Sequence, residues 1–162
     1  MNAELLIDRL DLAPHPEGGW FRQTYESKEK VDLPGFDGAR YYSTAIYFLL
    51  TSENFSAFHR LRQDEVWHYY AGSPLYVHVI DKNGNYTRYK VGININDGEF
   101  PQLTVKAGDW FGSSVVDTHS FSLVGCTVAP GFDYNDFEMA KREEMLRQFP
   151  QHKDIIVRLT RT

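Results

Sequence analysis

Between His59 and Gly72 the chain places a histidine, a carboxylate (Glu65) six residues later, and a glycine seven residues after that. Glu65 opens a run that reads as a β-strand, and Gly72 ends it at a turn. Strand alternation then puts Glu65, Trp67 and Tyr69 on one face and Val66, His68 and Tyr70 on the other. With the Glu65 face inward, Trp67 and Tyr69 line a cavity beside it, and His68 points away into a packing or subunit contact. A buried pair of His59 and Glu65 is at the least a hydrogen-bond network. Two arginines, Arg22 among aromatic residues and Arg60 next to His59, carry the planar fork that suits a ligand carboxylate or phosphate, or a surface ion pair.

The elements that must position these groups are mostly strands. Residues 3–10 carry Leu5, Leu6 and Leu10 at helical spacing, and Pro16 with Gly18 and Gly19 stops that pattern. Strand signals follow at 20–25, 41–51, 75–80, 86–91, 102–106, 110–115 and 120–128. Asn83-Gly84 marks a hairpin between two of them. Residues 137–149 read as one helix with charges on one side and Met145, Leu146 and Phe149 on the other, stopped near Pro150, with Asp136 as its N-cap. A last short element falls at 155–159. Helix, many strands, helix is the order expected of an all-β jelly-roll barrel with terminal helices, here one domain over 1–162.

Composition narrows the field. The 162 residues are 42% hydrophobic and 24% charged, as in an ordinary globular domain, and the 15% aromatic content suits a β-rich core or an aromatic cavity. A net charge of −5 argues against nucleic acid as the main partner. No apolar run reaches a membrane span and no signal-peptide pattern opens the chain, so the expectation is a cytoplasmic protein with no membrane partner. Cys126, the one cysteine, cannot form an intrachain disulfide and reads as a buried, inert thiol.

The His59–Gly72 run resembles the first motif of the cupin superfamily, in which a His-x-His pair, a Glu and a Gly supply metal ligands inside a small β-barrel; here Leu61 stands at the second histidine. Gly108 and His119 register with the second cupin motif, while Ser114, Val116 and Leu123 replace its Pro, Gly and Asn. The resemblance implies a cupin double-stranded β-helix. It also implies a candidate facial triad of His59, Glu65 and His119 for one divalent ion such as iron, manganese or nickel. A wider series covers residues 3–150: HPEGG at 15–19 running on to Tyr25, Ser56–Arg60, Asp64–His68, and GCTVAPGF at 125–132 with Asp133, Asp136, Phe137 and Glu138. It looks like a small family of cupin-like proteins similar to the deoxysugar epimerases, for which a homodimer is expected. In the HPEGG segment, His15 or Glu17 would cap the barrel mouth with Arg22 reaching in, or the glycines would simply shape a turn.

Three functions remain open at this point. The first is a barrel that binds a small polar metabolite, a sugar or nucleotide-sugar, and isomerises or epimerises it. His59 would be the general base and Tyr69 the acid, beside Glu65, with Arg22, Arg60, Trp67 and His119 contacting the ligand. The second is a metal-dependent oxygenase or isomerase using His59, Glu65 and His119. The third is a binding or sensing module without turnover.

Overall fold

The computed structural model describes residues 1–162. The chain runs from helix α1 (Ala3–Arg9) into strands β1 (Ala13–Pro14), β2 (Trp20–Glu26), β3 (Lys30–Val31), β4 (Arg40–Tyr41) and β5 (Thr44–Thr51). Next come β6 (Phe55–Arg60), β7 (Asp64–Gly72), β8 (Leu75–Ile80), β9 (Tyr86–Val91) and β10 (Gln102–Val105). It closes with β11 (Trp110–Val115), β12 (Phe121–Ala129), β13 (Glu138–Met139) and helices α2 (Arg142–Gln148) and α3 (Lys153–Arg158). None of these helices is long and apolar enough to cross a membrane.

Two sheets face each other. One has the order β1-β2-β5-β12-β7-β10 and the other β13-β6-β11-β8-β9, with all the neighbouring strands antiparallel. Sequence neighbours such as β5 and β6 lie in different sheets, which is the crossing pattern of a cupin double-stranded β-helix. The period of two decides what goes inside. Phe48 and Leu50 of β5, Trp67 of β7, Val77 of β8 and Val124 of β12 pack together between the sheets. Their neighbours turn outward. Leu49 and Leu123 meet Leu12 and the apolar stripe of α1, and Phe58, Ile80 and Trp110 lie under Met145, Phe149 and Ile156 of the C-terminal helices.

Local chemistry explains the ends of these elements. Asn2 caps α1, its side-chain oxygen accepting from the Leu5 N–H at 2.8 Å. In the β8–β9 connection, Gly84 takes φ 81°, and Asp81 Oδ1 accepts from the Asn83 and Asn85 N–H groups at 2.9 Å. The helix expected over 137–149 begins only at Arg142. Glu138 and Met139 instead pair with Arg60 and His59 as the edge strand β13, since a backbone pairing partner outweighs local helix propensity there. Asp136 is accordingly no helix cap; Asp133 caps the short turn at Tyr134–Asp136, accepting from the Asn135 N–H.

Candidate functional site

A cavity of about 440 Å³ opens between the sheets, walled mainly by apolar side chains, and His15, Glu17, His59, Glu65 and Cys126 are among its polar groups. Each arrives by a different route. His59 stands on β6, Glu65 and Trp67 on β7, and Cys126 on β12, where Val128 and Cys126 lie opposite Glu65 and Trp67 in the antiparallel register. Glu17 comes from the loop between β1 and β2. That loop is drawn so close to β6 that a Cβ on Gly18 (φ 115°) would sit 2.0 Å from the Phe55 carbonyl oxygen, so only glycine fits. The Glu17 carbonyl accepts from the Ala57 N–H at 3.0 Å, fixing the loop against the barrel.

The hydrogen bonds assign the protons. His59 Nδ1 lies 2.7 Å from the Ala57 carbonyl, which can only accept, so Nδ1 carries the proton and Nε2 is an acceptor facing Glu17 Oε2 at 3.6 Å. His15 Nδ1 accepts from the Glu17 N–H at 3.2 Å and lies 3.4 Å from Glu17 Oε1. These distances would suit ion pairs, but burial prevents the charge. Desolvation lowers both imidazoles from 6.5 to about 4. The same burial, together with the charge of Glu65, raises Glu17 well above the carboxylate range, against smaller opposing effects from Ser56 and Arg161. Glu65 rises to about 7 through burial, partly offset by the Cys126 thiol and the Trp67 indole beside it. Neither Trp67 Nε1 nor Glu65 Oε2 completes a hydrogen bond, and Glu17 Oε2 is likewise unpaired. The Cys126 thiol is driven well up by burial and by both carboxyls, as an unreactive thiol should be.

The aromatic walls form an unbroken chain of ring contacts. Phe21 meets His15 at 4.5 Å between centroids, His15 meets Phe48 at 5.8 Å, and Phe48 meets Trp67 at 6.1 Å. Phe111 bridges Trp67 and His59 at 6.2 and 4.1 Å, and Phe137 stacks on His59 at 5.3 Å. Phe132, Tyr134 and Phe137 reach the cavity because their loop is anchored by Asp136. Its carboxylate takes Arg40 Nε and Nη2 at 2.8 and 2.9 Å and Gln63 Nε2 at 2.7 Å. The bidentate guanidinium, with Gln63, holds the Asp136 carboxyl below its usual range despite burial.

Four expected site residues stand elsewhere. Tyr69 shares the Glu65 face but lies beyond the cavity, its hydroxyl donating to the Gly72 carbonyl at 2.6 Å. Arg60, next to His59 on one strand, must point to the opposite face; it stacks over Trp110 at 4.3 Å and pairs with Glu138 at 2.8 Å. Arg22 reaches only the rim. Phe21 and Gln23 take the inner face, so its guanidinium lies over Tyr47 at 5.7 Å outside. His119 sits in an exposed turn with φ 53°, two residues before β12, whereas the cavity meets the far end of that strand. At about 3.3 Å per residue, His119 is on the order of 20 Å from Cys126 along the chain.

The facial triad of His59, Glu65 and His119 is therefore not assembled. Leu61, buried at 4%, fills the position of the missing histidine, and no three His, Cys, Asp or Glu side chains converge to hold a metal ion. The residues present do not fit a metal centre. His68, expected to face away, does so and contacts Thr127 Oγ1 at 3.1 Å. Sequence reasoning placed His15 and Glu17 only at the mouth, as caps; no local signal marked Glu17 as the second buried carboxyl.

Comparison with known proteins agrees with this architecture. A hypothetical protein from Leishmania major has a TM-score of 0.93 at 41% identity, each chain covering 100% of the other. Protein SO0799 from Shewanella oneidensis has a TM-score of 0.91 at 40% identity over 99% of this chain and 98% of its own. Oxalate decarboxylase from Bacillus subtilis shares the fold alone, at TM-score 0.59 and 16% identity over 93% of this chain and 37% of its own. The uncharacterized protein YML079W of Saccharomyces cerevisiae is 30% identical over 88% of this chain and 77% of its own length. Residues 4–140 match the family described as Cupin superfamily (DUF985), and with that match covering most of its length the chain belongs to this family.

Proposed function

We propose that the cavity binds a small metabolite and moves a proton on it, an isomerase- or epimerase-like activity carried by two carboxyl groups. The observation that carries this reading is the presence of two buried carboxyls, Glu17 and Glu65, in the lining of one cavity. Buried polar atoms of that kind are costly unless something completes them. Glu65, titrating at about 7, is divided between base and acid near neutral pH, where general acid–base catalysis is most effective. Burial also favours the protonated form of Glu17, which makes it the acid of the pair. In the step envisaged, the Glu65 carboxylate takes a proton from a carbon next to a carbonyl while the Glu17 carboxyl delivers one to the carbonyl oxygen; Glu65 then returns its proton to carbon as Glu17 takes one back from the enol oxygen, restoring both groups. His59 Nε2 orients the Glu17 carboxyl. A volume of about 440 Å³ suits a molecule of sugar size.

The test is exchange of substrate C–H for deuterium. The protein is incubated in deuterium oxide with aldoses, ketoses and other carbonyl metabolites, and label uptake is followed by NMR. Exchange by the parent protein and its loss in both Glu65→Gln and Glu17→Gln, with folding intact, is the expected result. A compound that binds in the cavity and never exchanges would leave a binding module without turnover.

A further inference from the structure

We infer that the ligand also carries a positively charged nitrogen, an amine, amidine or quaternary ammonium group, beside the carbonyl that Glu17 and Glu65 act on. This deepens the proton-transfer reading of the same cavity by naming the charge of what it takes. Three independent observations converge on it.

The first is the presence of two buried carboxyl residues, Glu17 at 7% and Glu65 at 8% exposure, in the lining of one cavity. The second is the absence of an internal cation to balance them. Among the residues lining the cavity the only basic side chain that is charged is Arg22, whose guanidinium lies outside over Tyr47; both histidines hold their imidazoles neutral. Arg161 approaches Glu17 only from outside, donating to its backbone carbonyl at 2.7 Å. A phosphate or carboxylate would enter against the Glu65 carboxylate and Asp11, with no cationic side chain inside to receive it. The third is the aromatic belt of Phe21, Phe48, Trp67, Phe132 and Phe137, with Tyr134 at its edge. Ring faces attract cations, and carboxylates within an aromatic enclosure are the usual means of holding an ammonium group. A neutral polyol would satisfy the carboxyls but gain nothing from the rings.

The geometry also states what the ligand replaces. A cation near Glu65 favours its carboxylate against the burial that now favours the protonated form, so binding should lower the Glu65 pKa. An uncharged molecule of the same shape cannot do this.

The experiment compares charged probes with uncharged isosteres at equilibrium: benzylamine with benzyl alcohol, and choline with its carbon analogue. Binding is followed by calorimetry and by quenching of Trp67 fluorescence, with Trp67→Phe separating that signal from Trp20 and Trp110. Each cation should bind at least about tenfold more tightly than its isostere. Glu65→Gln and Glu17→Gln should each remove most of that preference, weakening the cation by more than its neutral isostere. Equal affinity for charged and neutral probes, a preference that survives both substitutions, or no saturable binding of either cation at millimolar concentration would overturn the inference. Because these are binding measurements, their failure leaves the deuterium-exchange result standing, and the converse also holds. Should one variant not fold, the other carries the comparison.

Discussion

Arg161 Nη1 donates to the carbonyl of Glu17 at 2.7 Å, and its Nη2 donates to Asn54 Oδ1 and the Phe55 carbonyl at 3.0 Å. A residue beyond the last helix thus ties down, from 144 positions away, the loop that carries a buried carboxyl into the cavity. The same guanidinium lies over the Phe55 ring at 4.0 Å. Arg161→Ala should cost about 1 kcal/mol, because the bonds it loses are only partly screened from water. Hydrogen exchange should rise at residues 17–19 ahead of the rest of the barrel; unchanged exchange there would show that the Ala57 contact suffices alone.

The Arg40–Asp136 pair makes a larger claim. Its side chains are 3% and 2% exposed, and removing one partner strands a buried charge. Asp136→Ala should destabilise by about 3 kcal/mol in urea denaturation. It should also loosen Phe132 and Phe137, so that any cavity ligand is weakened in parallel. Full ligand affinity in a destabilised variant would separate the anchor from the site.

Glu65 fixes the direction of a pH effect. Its folded pKa of about 7 lies above the ordinary 4.5, so its stabilising contribution is complete below pH 4.5 and is lost as pH rises through 7. Around it, Glu17 and Cys126 shift in the same direction, while His15 and His59 oppose: their contribution is present above pH 6.5 and lost as pH falls through about 4. Glu65→Gln should therefore match the parent protein below about pH 4 and exceed its stability by up to about 3 kcal/mol at pH 8. A variant no more stable than the parent at pH 8 would contradict the raised pKa.

His119 offers a control. It adopts φ 53° in an exposed turn, a conformation that disfavours side chains other than glycine. His119→Gly should raise stability by about 0.5–1 kcal/mol and leave cavity binding and metal content as they were. Loss of a bound metal in this variant would restore the triad that the fold denies.

How much of this was written in the chain can be judged residue by residue. Strands at 75–80, 86–91 and 110–115 were legible with their boundaries, and Asn83-Gly84 announced its hairpin, because side-chain alternation and turn preference are properties of neighbouring residues. Alternation also put Glu65 and Trp67 on one face and turned His68 away. It should equally have separated Arg60 from His59, since adjacent residues of a strand cannot both enter one cavity.

The rest required the assembled barrel. Glu17 becomes the partner of Glu65 only because a glycine loop is pinned to β6 and to Arg161. Asp136, which reads locally as a helix cap, becomes an anchor because Arg40 is brought to it from 96 residues away. His119 matches a motif in spacing, yet lies at the wrong end of β12. The local periods of the chain determined which residues face together, whereas only the register between distant strands, set by burial of the whole core, decided which of those faces meet in one cavity.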